Sequence, residues 1–139
     1  MARRRRTTAT EYRLLVTPGW NDRLQVPTTV VVLETVQTFA SFRYALSVKE
    51  ERGERSLLYR ITGLKAPDLS LPGTGEAQYT REYEDLIGTI EITVQGLDGE
   101  RTTCTLRITP ERVHVLRAPR GTHLAVLTER SDWEKRNHS

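Results

Sequence analysis

The stretch Ile90–Ile108, IEITVQGLDGERTTCTLRI, decides the fold. Ile90, Ile92 and Val94 alternate with Glu91, Thr93 and Gln95. Beyond a turn, Thr102, Cys104, Leu106 and Ile108 alternate with Thr103, Thr105 and Arg107. Period two is the signature of a half-buried strand. A two-residue Asp98-Gly99 loop would set Ile92 against Thr105 and mix the faces. A three-residue loop, Leu97-Asp98-Gly99, sets Val94 against Thr102, Ile92 against Cys104 and Ile90 against Leu106. That loop needs a left-handed residue at its third position, where Gly99 stands.

Downstream, a Pro110-Glu111 turn sets Ile108 against Val113. A turn at Pro119-Arg120 would then set Val115 against Leu124 and Val113 against Val126. Residues 87–128 thus read as a four-stranded antiparallel meander with one dry face and one mostly wet face.

Upstream, Tyr12, Leu14 and Val16 mark a first strand, closed by a Pro18-Gly19 turn signal. A second runs over 23–36, where Pro27 implies an edge or a bulge. Phe42, Tyr44, Leu46 and Val48 alternate, as do Leu57, Tyr59 and Ile61. A turn at Arg52-Gly53 pairs Val48 with Leu57 and Leu46 with Tyr59, and one at Gly53-Glu54 keeps the same parity. The segment 64–86 breaks the pattern. Its first part is a loop bearing Pro67, Pro72, Gly73 and Gly75. Tyr79, Tyr83, Leu86 and Ile87 then fall at helical spacing, although Tyr79, Arg81 and Tyr83 also alternate. The spacing predicts a short helix over 76–87. The expected architecture is all-β: an antiparallel sandwich or flattened barrel of about eight strands.

The chain has 139 residues, enough for one self-sufficient domain, here 11–130. Residues 1–10 read as a disordered basic arm and 131–139 as a loose tail. The net charge of +3 is carried by the arm: without Arg3, Arg4, Arg5 and Arg6 the balance is −1. No apolar segment follows those arginines, so a secretory signal is not expected. No apolar run approaches the roughly 20 residues of a membrane span. A single cysteine, Cys104, forbids an internal disulfide, and a cytoplasmic location is expected.

Little in the chain has the pattern of a catalytic site. Cys104 falls mid-strand on the apolar face, where a thiol is inert. No phosphate-cradling glycine loop or nucleophile elbow is present. His114 and His123 could face each other only if the last hairpin slipped, and with Glu111 they could then hold zinc. Solvated histidines on a wet sheet face are the expectation, with no metal or cofactor. Glu82, Glu84 and Asp85 beside Tyr79 and Tyr83 mark where a small enzyme or ligand carrier would have its pocket, near 64–88. The arginine arm suits nucleic acid, and the strand order is similar to an OB-fold by analogy. The reading that asks least is a non-catalytic binding or assembly module. It would meet a protein partner, or itself, through a sheet edge. Trp20, Tyr79 and Tyr83 are its candidate contact residues; Trp20 either stands exposed or packs on the barrel end.

Overall fold

The computed structural model of the chain describes residues 11–39, 45–65, 75–121 and 123–129. The expected arm and tail lie outside the described residues, as do Phe42, Tyr44 and the prolines at 67 and 72. Nine strands are present and, among the described residues, no helix. They are β1 (Tyr12–Asn21), β2 (Val26–Phe39), β3 (Ala45–Arg52), β4 (Ser56–Lys65) and β5 (Gly75–Tyr83). Next come β6 (Gly88–Gln95), β7 (Arg101–Ile108), β8 (Val113–Arg117) and β9 (Leu124–Leu127). All nine belong to one strongly curled sheet, a half-barrel, in the order β8-β7-β6-β4-β3-β5-β2-β1-β9. The sheet is mixed, not purely antiparallel, because β1–β9, β3–β5 and β4–β6 run parallel.

The Ile90–Ile108 hairpin has the register its pattern requires. Val94 lies opposite Thr102, Ile92 opposite Cys104 and Ile90 opposite Leu106. The Gly99 N–H donates to the Gly96 carbonyl at 3.0 Å, and Gly99 takes φ +87°. This is the three-residue loop with its left-handed third residue. Ile108 pairs with Val113 across the Pro110-Glu111 turn, also as expected.

Four expectations are corrected. First, residues 76–87 form no helix: 75–83 is β5, a ninth strand. Alternation of Tyr79, Arg81 and Tyr83 wins over the helical spacing, because β5 fills the place between β2 and β3 and takes ladder bonds from β2. Second, β9 does not pair with β8. It crosses to lie parallel to β1, Tyr12 opposite Leu124 and Leu14 opposite Val126, so the meander has three strands. Third, the β3–β4 turn comes one residue later, at Glu54-Arg55, where the Gly53 N–H donates to the Ser56 carbonyl at 2.9 Å. Arg52 faces Leu57 and Val48 faces Ile61, with a bulge at Ser47/Val48. From Val48 to Arg52 each pair is two steps further along than a Gly53-Glu54 turn would place it, so the face parity survives there and the partners change; beyond the bulge the shift is three, and Leu46 faces Leu64.

Fourth, β1 runs through Pro18 and Gly19 to Asn21. Its turn comes at 22–25, where the Asn21 side chain accepts the Leu24 N–H (2.9 Å) and Gln25 takes a left-handed φ of 57°. The edge expected at Pro27 is present locally, although β2 as a whole is interior to the sheet. Pro27 is tolerated because β5 pairs with β2 only from Thr29 onward, so that end of β2 has a strand on one side alone.

The concave side holds the core. Leu14, Val16, Val31, Leu33, Leu57, Tyr59, Ile92, Val94, Cys104, Leu106 and Ile108 are all fully buried there. At one end the curl nearly closes, although β1 and β7 are far apart in strand order. His123, just before β9, meets Thr102 of β7, with Nδ1 2.9 Å from Oγ1. The Leu97 N–H reaches the Tyr12 hydroxyl at 3.5 Å.

Candidate functional site

At the other end the curl stays open. A cleft of about 660 Å³ lies between β1 and β8, lined by Thr17, Pro18, Glu111 to Val115, Thr128 and Glu129. Both of its walls are strand edges. The Thr109 N–H donates to the Arg112 carbonyl (3.0 Å), which makes 109/112 a hydrogen-bonded pair. Bonding alternates along an antiparallel ladder, so Ile108/Val113 and Leu106/Val115 are non-bonded pairs. The N–H and C=O of Val113 and Val115 therefore point away from β7, toward the cleft. No strand pairs with that edge among the described residues. Beyond it, Leu116 has no partner in β7, because Leu106 faces Val115 and Thr105 faces Arg117. This bulge ends the regular edge.

The β1 wall follows the same logic. The Val36 N–H bonds to the Glu11 carbonyl, so Tyr12, Leu14, Val16, Pro18 and Trp20 turn their backbone groups away from β2. Tyr12 accordingly donates its N–H to the His123 carbonyl at 3.1 Å. Strand β9 covers only Tyr12 to Leu15. Past that point Pro18 occupies an outward position, and a proline has no N–H to offer. Trp20, at the far end of β1 and outside the cleft lining, is 53% exposed, and Val115 on the β8 wall is 41% exposed.

Tyr79 and Tyr83 belong to a different feature, a side-chain bridge between β3 and β5. These parallel strands share a single backbone pair, Ala45 with Gln78. Further along, Glu50 of β3 takes the place of the ladder. Its Oε1 accepts the Tyr83 hydroxyl (2.8 Å), the Tyr79 hydroxyl (3.1 Å) and the Arg81 Nε–H (2.9 Å). The Tyr83 proton is committed to Glu50, so the buried Tyr59 hydroxyl must be the donor in its 2.7 Å bond to Tyr83. Arg81 also lies over the Tyr83 ring at 4.8 Å. Burial raises the Glu50 pKa, but the bonds from Arg81 and Tyr83 outweigh it and hold the carboxyl below its ordinary value. Burial beside this carboxylate pushes Tyr79 up to about 12 and raises Tyr83 and Tyr59 as well. All three phenols stay protonated at neutral pH and serve as donors. Sequence reasoning missed Glu50, which reads as part of a charged hairpin tip. Its signal was parity: Glu50 shares a face with Val48 and stands opposite Tyr59.

The remaining candidates are dispersed. Glu82 accepts the Thr28 hydroxyl at 2.6 Å, and Asp85 pairs with Arg52 at 3.2 Å. Burial pushes the Cys104 thiol up to about 12. His114 is exposed on β8 while His123 is buried at the closed end, so the two do not face each other. Arg3 to Arg6 lie outside the described residues. No helix of the described residues is long and apolar enough to cross a membrane. No family model matches the chain, and neither does any curated protein or solved structure.

Proposed function

We propose that this chain is a non-catalytic binding module that accepts a short extended segment of a partner protein at the β8 edge of the open cleft. The observation that carries the reading is the pair of outward-facing peptide groups at Val113 and Val115, which border a cleft and have no strand partner among the described residues. An incoming strand would take its main-chain bonds there. Val115 and Pro18 supply apolar contacts, and Arg112, Glu111 and Glu129 give the rim both signs of charge. The bulge at Leu116 limits regular pairing to a few residues. Apolar side chains at alternate positions of the segment would face the cleft.

The test is a peptide-display selection against the full chain, repeated with Val115→Pro and Val115→Ala. Proline at 115 removes an outward N–H and no bond to β7, so the fold tolerates it. Enriched peptides should alternate apolar and polar residues, bind Val115→Ala, and lose at least about tenfold in affinity for Val115→Pro, the worth of one to two hydrogen bonds. Equal binding to both variants would remove the β8 edge from consideration.

A further inference from the structure

We infer that Glu11, Asp98 and His123 form a binding site for a divalent cation of the zinc class at the closed end of the half-barrel. The three come from separate parts of the chain: the residue before β1, the β6–β7 turn and the residue before β9. One ligand atom from each lies within 4.8 Å of the other two.

The buried member points to a ligand. The His123 side chain is only 4% exposed, and its Nε2 is buried with no hydrogen-bond partner. The nearest carboxylate oxygen, Glu11 Oε1, is 3.9 Å away, too far for a hydrogen bond. The other ring nitrogen is fixed: Nδ1 lies 2.9 Å from Thr102 Oγ1. With Nδ1–H donated to that hydroxyl, Nε2 presents a lone pair toward the two carboxylates. A metal-bound histidine is held this way, its second nitrogen anchored and its tautomer set. The Tyr12 ring, edge-on at 5.2 Å, fixes the imidazole plane.

A second observation is steric. A Cβ at Gly96 would stand 2.9 Å from His123 Nε2 and 3.2 Å from Asp98 Oδ1. The absent side chain leaves room beside both ligand atoms. Asp98 is also braced, because its Oδ1 accepts the Glu100 N–H at 2.9 Å.

The dimensions suit a small ion. Zinc bonds of about 2.1 Å place tetrahedral ligand atoms roughly 3.4 Å apart. Glu11 is half exposed and Asp98 is exposed, so both side chains can close the remaining distance. Two carboxylates and a neutral imidazole carry a charge of about −2 before the ion arrives. One nitrogen and two oxygens select zinc, cobalt or manganese over calcium. Water completes the shell on the exposed side. A bound ion would tie β1, β9 and the β6–β7 turn together where no backbone ladder joins β1 to β7.

The test uses the untagged full chain and zinc. Equilibrium dialysis should give one ion per chain, and cobalt should give a visible absorption band at the same stoichiometry. Glu11→Gln and Asp98→Asn should each weaken zinc binding at least about tenfold, and Gly96→Ala should weaken it by filling the space between ligands. His114→Ala should change nothing. Zinc should raise the thermal midpoint of the parent chain and leave that of the Glu11→Gln/Asp98→Asn double variant unmoved. His123→Ala removes a buried contact and can fail to fold. The two exposed carboxylate variants keep the test valid, with circular dichroism as the check on folding. No stoichiometric uptake, or uptake that survives the double variant, would overturn the assignment.

Discussion

Tyr83→Phe should destabilise the protein by about 2–4 kcal/mol, and Tyr59→Phe should relieve part of that loss. The parent has a one-way chain of donors, Tyr59 to Tyr83 to Glu50. Removing the Tyr83 oxygen breaks both links. Tyr59 is fully buried, so its hydroxyl loses its acceptor in a place water does not reach, which costs about 1–3 kcal/mol. The bond to the Glu50 carboxylate is charge-assisted, but Glu50 keeps Tyr79 and Arg81, so its loss adds only about 1 kcal/mol. For a domain of this size the sum lowers the midpoint by roughly 8–16 °C. Tyr59→Phe alone should cost only about 1 kcal/mol, because it removes a donor and leaves Tyr83 free to serve Glu50. The double variant should be no less stable than Tyr83→Phe, since nothing buried is then unpaired. Urea unfolding of the four proteins, read by linear extrapolation, gives the coupling. If the two single costs simply add, the hydroxyl–hydroxyl bond contributes nothing and Tyr59 is not the donor to Tyr83.

Three other outcomes follow from the same structure. The Glu50 carboxyl has a folded pKa below its ordinary 4.5, so its contribution is fully present above pH 4.5 and is lost as pH falls through the lower folded value. Acid titration of stability should show this loss in the parent, and Glu50→Gln should flatten it. Gly99→Ala should cost about 1 kcal/mol or more in a urea melt, because a Cβ is strained at φ +87° even with open space around it. Cys104, buried and with its thiol pushed up to about 12, should resist thiol reagents in the folded protein and react at once in denaturant. Fast labelling of the native chain would show that β7 opens readily.

What could be read from the chain is what neighbouring residues decide. The β6–β7 register follows from one alternating pattern and one glycine, both within 19 residues. The three parallel contacts follow from nothing local. Leu124 to Leu127 suits either β8 or β1 by face, and only the curl of the whole sheet brings β1 within reach. β5 was lost for a related reason: Tyr79 and Tyr83 fit a helix and a strand equally, and the choice is made by the vacancy between β2 and β3. The zinc-class site was invisible because its ligands are 25 or more residues apart along the chain and share no motif. His123 could be listed as a candidate, but only the fold shows that its Nε2 meets Glu11 and Asp98 rather than His114.

The open seam has a physical cause in the two strands that border it. β1 and β8 approach each other without pairing. Two free edges at that range would be expected to zip together, since each unpaired peptide group gains a bond and the barrel loses its exposed ends. Two residues work against this. Pro18 stands at an outward position of β1 and removes the donor that a ladder through that point requires. Leu116 is bulged out of β8 and turns the end of that strand away from a straight register. At the opposite end closure is made through side chains, Thr102 with His123 and the Tyr12 hydroxyl with the Leu97 N–H, and needs no ladder. The sheet is therefore pinned at one end and kept apart at the other, which leaves Val113 and Val115 as the unblunted part of the seam.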